Sequence, residues 1–125
     1  MFEQDYIMRL IKEMVRAILK LLFGVDTQAP TMELLEDAQQ RQTLESLYDL
    51  VDAGRIEEAE NQVYELTEDS DPGSLGVAVL FYSYLNDKTD AFLAEHHFSR
   101  EEVKQGLKDI ATQYGLGEMA SVFLQ

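Results

Sequence analysis

Apolar residues recur every three to four positions along most of this 125-residue chain, which is the spacing of amphipathic α-helices. No stretch alternates apolar and polar residues for long enough to predict a strand. Turn-forming residues interrupt the helical pattern at 24–30, 54, 69–73, 86–87, 96–99 and 115–117. Because short loops make successive helices antiparallel neighbours, the pattern predicts an all-α, single-domain bundle of about six antiparallel helices.

The sixth helix has the clearest predicted start. Ser99 is a suitable N-cap, Glu102 completes a capping box, and Phe98 and Val103 are placed for a hydrophobic staple. The predicted helices cover residues 3–23, 31–53, 56–66, 72–85, 88–95 and 100–114. An apolar tail at 118–124 is expected to dock on the bundle as a further turn or two.

The fourth helix is predicted to lie at the centre of the bundle. Asp71 and Pro72 form a start signal, and residues 75–85 are apolar nearly all round. We expect one domain over 1–125 with three parts. These are a long amphipathic N-terminal helix (1–24), a helical hairpin with the central apolar helix (31–85), and the C-terminal helices (87–125).

The middle of the chain resembles a tetratricopeptide hairpin. The residues are LYDLVDAGRIEEAENQVYEL at 47–66, with Gly54 at the tight turn and Ile56 and Ala59 at the apolar and small positions that open the second helix. No convincing second copy occurs at the 34-residue period of such repeats. Because one hairpin cannot bury its own faces, helices 1, 4 and 6 must supply the rest of the core.

Two other segments resemble an uncharacterised family of short bacterial all-helical proteins, a domain of unknown function. They are MFEQDYIMRLIKEMVRAILKLLF at 1–23 and HHFSREEVKQGLKDIATQYGL at 96–116. The resemblance spans most of the chain. It brings no catalytic motif and no ligand, so it assigns no functional residue.

Composition excludes several functional classes. The chain has no cysteine, so it has no disulfide, thiol nucleophile or thiolate zinc site. With 24 acidic and 10 basic residues its net charge is −14, which repels nucleic acid. Charged residues interrupt the N-terminal apolar stretch, so no transmembrane segment is predicted. We therefore expect a cytoplasmic protein that binds no nucleic acid.

Catalytic and metal-binding patterns are missing from the sequence. His96 and His97 are adjacent and would point about 100° apart on a helix, so they do not form an i, i+4 metal-binding pair. Residues 68–73 resemble a calcium loop, but Val79 stands where a bidentate glutamate is needed. The sequence predicts no catalytic residue, no metal and no cofactor. A small-ligand binder or enzyme with a pocket beside helix 4 stays open as the alternative.

Negative charge is concentrated in the middle of the chain. Residues 33–71 contain 13 acidic residues and two basic ones. Candidates for an acidic binding face on the third helix are Glu57, Glu58, Glu60 and Glu65. These residues predict a non-catalytic protein–protein interaction module whose partner carries a basic segment. A solvated face without a partner is the simpler interpretation.

The first helix has an apolar arc of about 220°, wider than one groove of its own bundle is expected to cover. We therefore predict a homodimer in which one flank of this helix packs on the bundle and the other meets a second copy. Candidate interface residues are Met8, Val15 and Leu19 on one flank, and Leu10 and Ala17 on the other. A basic wedge of Arg9, Lys12, Arg16 and Lys20 would line the rim. Two alternatives stay open: complete enclosure of the helix within one chain, and binding to an anionic membrane surface.

Overall fold

Helices account for all the regular secondary structure in the computed structural model, which describes residues 2–124 and the side-chain surroundings of residues 4–124. The α-helices are α1 (Phe2–Phe23), α2 (Ala38–Asp52), α3 (Ile56–Leu66), α4 (Pro72–Asn86), α5 (Asp90–Glu95), α6 (Arg100–Gln113) and α7 (Gly117–Leu124). A 3-10 helix covers Met32–Leu34. The all-α prediction is confirmed, and the apolar tail forms a seventh helix.

The second helix begins later than its hydrophobic pattern suggested. The Thr31 hydroxyl accepts a hydrogen bond from the Glu33 N–H at 3.3 Å and caps the 3-10 helix instead of a long α-helix. A second cap follows, in which the Asp37 carboxylate accepts from the Gln39 N–H at 2.8 Å, so α2 starts at Ala38. The predicted start at residue 31 was wrong because local capping outweighed the apolar period.

The sixth helix begins as predicted. The Ser99 hydroxyl accepts from the Glu102 N–H at 3.2 Å and donates to the Glu102 carboxylate at 3.1 Å. Phe98 and Val103 are both buried, as a hydrophobic staple requires. The start of α6, and with it the α5–α6 turn, is therefore fixed by local sequence.

The core surrounds α4, which packs against α1, α2 and α6. Every residue from Ser74 to Tyr82 is buried, in agreement with the predicted central helix. Gly76 allows close packing there, since a Cβ would lie 3.0 Å from the Phe23 ring. Phe23 ends α1, whereas Asn86 at the end of α4 contacts Met8 near the start of α1, so the two helices run antiparallel.

A buried arginine connects the helices at one end of the bundle. Arg100, only 3% exposed, donates to the backbone carbonyls of Asn86 and Lys88 and to the Asp90 carboxylate. The Asn86 side-chain amide donates to the Met8 carbonyl at 3.1 Å. One guanidinium group therefore fastens the start of α6 to the α4–α5 connection, and Asn86 extends the network to α1.

We expect Arg100→Met to lower the free energy of unfolding by about 2–4 kcal/mol, because it leaves buried carbonyls without donors. Asp90→Asn is the matched control. Its carboxylate is half exposed, whereas Arg100 is buried, and the asparagine oxygen can still accept from the guanidinium, so Asp90→Asn should cost clearly less than Arg100→Met. Urea denaturation followed by circular dichroism measures both. Equal losses in the two variants would show that the ion pair with Asp90, and not the buried carbonyl contacts, carries the stabilisation.

Candidate functional site

A groove of 670 Å³ lies between the start of α3 and the α5–α6 turn. Its lining consists of Gly54, Arg55, Ile56, Glu57, Glu58, Glu60, Asn61, His96, His97, Phe98 and Glu102. Three glutamates of the predicted acidic face, Glu57, Glu58 and Glu60, meet Glu102 from α6 here. Glu65 does not line the groove, because it lies two helical turns, about 12 Å, beyond Glu57 along α3.

Two tight turns form the base of the groove. Gly54 connects α2 to α3 with a φ of +82°, and a Cβ at this position would lie 2.5 Å from Cε1 of His96. The His96 ring also packs edge-on against Phe92, with ring centroids 4.5 Å apart. A glycine is therefore required at position 54 for two reasons: the backbone is left-handed there, and the His96 imidazole approaches too closely for a Cβ atom.

The two histidines occupy the turn after α5. His96 follows the last residue of α5, and His97 has a left-handed φ of +60°. Their position at a helix end agrees with the sequence, but their place opposite α3 could not be predicted. Only the packing of α5 onto the α2–α3 turn brings them to the glutamates.

Glu60 connects the groove to the core. Its carboxylate accepts hydrogen bonds from the Tyr82 hydroxyl at 2.8 Å and the Tyr64 hydroxyl at 3.4 Å. Burial raises the pKa of Glu60, the two tyrosine hydroxyls oppose this, and the negative charges of Glu102 and Asp109 add to it. Burial likewise raises the pKa of Tyr82, which keeps this hydroxyl a donor.

A glycine on α6 makes room for the Tyr82 hydroxyl. A Cβ on Gly106 would lie 2.5 Å from the Tyr82 Oη atom. The ring therefore passes against the α6 backbone and reaches Glu60 on α3. Three helices thus cooperate to hold one groove carboxylate in place.

The groove has a strongly negative lining. Arg55 is the arginine among its lining residues, and its guanidinium contacts Glu58 at 2.6 Å. Both side chains are largely exposed, so this pair contributes about 1 kcal/mol or less and leaves the other carboxylates uncompensated. The arrangement favours cations over anions.

An aromatic cluster supports the groove from the α2 side. The rings of Tyr48 and Tyr84 stack with centroids 3.8 Å apart. The Lys88 ammonium lies 4.7 Å from the Tyr84 ring centroid and 5.0 Å from that of Phe92. Asp52 accepts from Lys88 at 2.7 Å and from the Tyr84 hydroxyl, and these contacts lower the pKa of Asp52. Phe92, which Lys88 contacts, packs on His96, and His96 lines the groove. The cluster therefore stabilises the position of His96 in the groove.

A second opening of 490 Å³ lies beside α4, at the C-terminal half of that helix. It is lined by Lys12, Glu13, Val15, Arg16, Thr27, Gln28, Ala29, Pro30, Thr31, Ser83 and Asp87. The ion pair between Arg16 and Asp26 holds the loop after α1 against that helix. Two cations and two anions line this cleft, so no single charge dominates it.

The two flanks of α1 are covered unequally. Val15 and Leu19 are buried in the chain's own core, and the Met8 carbonyl accepts from Asn86 of α4. Val15 and Leu19 are therefore core residues and not interface residues, because the all-apolar α4 covers this flank. On the opposite flank Leu10 and Ala17 are half-buried.

Metal-binding clusters and membrane-spanning helices are the two further kinds of site at issue in the described part of the chain. Across residues 2–124, three or more His, Asp or Glu side chains do not converge into a group able to hold a metal ion. None of the helices described there is long and apolar enough to cross a membrane. The acidic groove and the cleft beside α4 are thus the candidate sites.

We expect Gly54→Ala to destabilise the fold by about 2–3 kcal/mol, from left-handed strain and from the contact with His96. Gly24→Ala is the control. Gly24 has a φ of +69°, but a Cβ there would have no atom within 4 Å, so the change should cost only about 1 kcal/mol. Chemical denaturation gives both values. His96→Ala in the Gly54→Ala background should recover part of the loss. Equal losses in the two glycine variants would show that His96 does not pack on this turn.

Glu60 predicts a particular pH dependence of stability. Its folded-state pKa lies above the ordinary value of 4.5, so the native state binds more protons and the unfolding free energy falls as pH rises through this interval. Glu60→Gln keeps an acceptor for Tyr82 without the charge. Its stability relative to the natural protein should therefore increase from pH 4 to pH 7. Glu65→Gln, on the exposed side of α3, makes the same charge change away from the tyrosine hydroxyls and is the control in the same urea titrations.

Comparison with known proteins assigns a family and adds no biochemical activity. No curated protein and no solved structure shows significant similarity to the chain. Residues 1–115 match the family described as "Family of unknown function (DUF6483)". This match covers far more than half of the chain, from α1 to the residues just after α6. The protein therefore belongs to the DUF6483 family of unknown function.

Proposed function

We propose that this protein is a non-catalytic interaction module that binds a basic segment of a partner protein in the groove between α3 and the α5–α6 turn. One observation carries the proposal: Glu57, Glu58, Glu60 and Glu102 line a single groove that contains one arginine. Such a lining attracts lysine and arginine side chains and disfavours acidic ligands.

The construction of the groove supports a binding role. Glu60 is held by Tyr82 and Tyr64, and Gly54 is packed under His96, so part of the surface is fixed before a partner arrives. Preorganised groups lose less conformational entropy on binding than mobile ones. Glu57 and Glu58 at the first turn of α3 are exposed to a partner's cations, and the exposed Arg55–Glu58 ion pair can exchange for one of them at little cost.

We also propose the finer assignments that the sequence suggested. The α2–α3 hairpin is TPR-like, the protein is bacterial, and it works in the cytoplasm. The tight turn at Gly54 supports the first of these, and a cysteine-free chain is compatible with a reducing compartment.

The test uses two fluorescent probes, a peptide of alternating lysine and alanine and a matched peptide of alternating glutamate and alanine. Anisotropy should show binding of the basic probe only, weakening as salt rises. Glu57→Gln/Glu58→Gln should reduce affinity about 3- to 10-fold, the effect of two exposed charge contacts. Glu65→Gln/Glu68→Gln removes the same charge outside the groove and should change affinity little.

Equal weakening by both double variants would contradict the groove and indicate a diffuse attraction to an acidic protein. Binding of the acidic probe would contradict the charge argument. The cleft beside α4 supports a second candidate, a small polar ligand with both charges, because Lys12, Glu13, Arg16 and Asp87 all line it. Binding lost in Lys12→Ala and retained in Glu57→Gln/Glu58→Gln would favour that cleft.

A further inference from the structure

We propose that two copies of the chain associate through α1, with the two helices antiparallel about a two-fold axis. The contact surface is the α1 stripe, defined as Tyr6, Leu10, Ala17 and Leu21. This proposal is independent of the acidic groove and concerns a different side of the molecule.

The α1 stripe is an apolar face that the bundle covers only in part. At about 100° per residue its four members fall within about 60° of one another. Their mean direction lies about 100° away from the centre of the buried face, which Ile11 and Ile18 occupy. Tyr6 is 52% exposed and Leu21 is 62% exposed, at opposite ends of the stripe. α1 also packs against α6 and α7, and Leu10 and Ala17 are half-buried, so the exposed parts of the stripe are its two ends.

The spacing of the α1 stripe fits an antiparallel pair. Tyr6 and Leu21 are equidistant from the midpoint between Glu13 and Met14, and so are Leu10 and Ala17. A two-fold axis through that midpoint places Tyr6 opposite the partner's Leu21 and Leu10 opposite the partner's Ala17. Each contact then joins a larger side chain to a smaller one, which packs without a gap. A parallel pair would set Ala17 against the partner's Ala17 and leave space there.

Charge favours α1 over the acidic surfaces of α2 and α3 as the contact. The protein has a net charge of −14, so two copies repel each other across most of their surface. The segment Phe2–Phe23 contains four basic and three acidic residues and has a net charge of +1. Self-association through this helix brings together the faces that repel least.

The rim of the α1 stripe opposes the association. Arg9, Glu13 and Lys20 follow one edge of the stripe. In the antiparallel pair, Glu13 lies about 1.5 Å along the helix axis from the partner's Glu13, and Arg9 lies about 3 Å from the partner's Lys20. Each rim charge therefore faces a like charge, and because these side chains are exposed the repulsion weakens the dimer only modestly.

A second copy is favoured over an anionic membrane as the occupant. A lipid surface bearing negative charge repels the strongly acidic body of the protein, and Glu13 dilutes the cations beside the stripe. The stripe is short compared with a standard protein interface, so the dimer is weak and reversible.

Analytical ultracentrifugation from micromolar to millimolar concentration tests the association. The natural protein should shift from monomer to dimer with concentration. Leu21→Glu should raise the dissociation constant at least about tenfold, because a charge replaces an apolar contact. Val122→Glu is the matched control, since Val122 on α7 is 68% exposed and lies outside the stripe. Circular dichroism confirms that both variants fold.

Single-cysteine variants test the orientation, because the chain contains no other cysteine. An oxidised mixture of Tyr6→Cys and Leu21→Cys should form mainly the mixed disulfide dimer, whereas each variant alone should form little. Dominant homodimers of each variant would overturn the antiparallel arrangement.

A monomer at all concentrations would overturn the proposal, as would equal disruption by Leu21→Glu and Val122→Glu. Flotation with phosphatidylglycerol vesicles provides the remaining comparison. Binding of the natural protein to these vesicles, lost in Leu21→Glu and without dimerisation in solution, would assign the stripe to a membrane surface and also overturn the proposal.

Discussion

The buried guanidinium of Arg100 is the interaction on which the end of the bundle that carries the acidic groove depends. Arg100 donates hydrogen bonds to the backbone carbonyl of Asn86 at the end of α4 and to that of Lys88 just before α5. The Asn86 side-chain amide donates to the Met8 carbonyl and so extends this network to α1. A buried charge has a high desolvation cost, and here the Nε atom has no hydrogen-bond partner. The hydrogen bonds from Arg100 to the Asn86 and Lys88 carbonyls and to the Asp90 carboxylate must therefore all be present to offset this cost. Arg100 is the first residue of α6, so its hydrogen bonds also fix the α5–α6 turn that precedes it. The packing of His96 from this turn against Gly54 therefore depends on the Arg100 hydrogen bonds.

The acidic groove is built partly from the core. Glu60 is fixed by Tyr82, and Tyr82 reaches it only because Gly106 has no side chain. A carboxylate in this setting is less stable when charged than an exposed one, as its raised pKa indicates. The fold therefore gives up some stability at neutral pH to hold a negative charge at the groove.

The protein separates two surfaces of different character. The α2–α3 side is acidic and repels other copies, whereas α1 is close to neutral and keeps an apolar stripe in contact with solvent. Strong net charge maintains solubility and also restricts where like copies can touch. The proposed partner of the groove would consequently bind through charge. The proposed second copy would bind to α1 through apolar contact.

The sequence by itself determined the helices, because their signals are local. The capping residues at Ser99 and the all-apolar body of α4 act within one or two turns, and the structure contains both features as predicted. Local signals also explain the misplaced start of α2, since Asp37 caps that helix and it begins at Ala38 instead of residue 31. Only tertiary packing decided which flank of α1 meets α4 and that His96 and Glu102 join the α3 glutamates. A helical period states that a face is apolar, but not which neighbour covers it, since that choice depends on contacts between residues far apart in the chain.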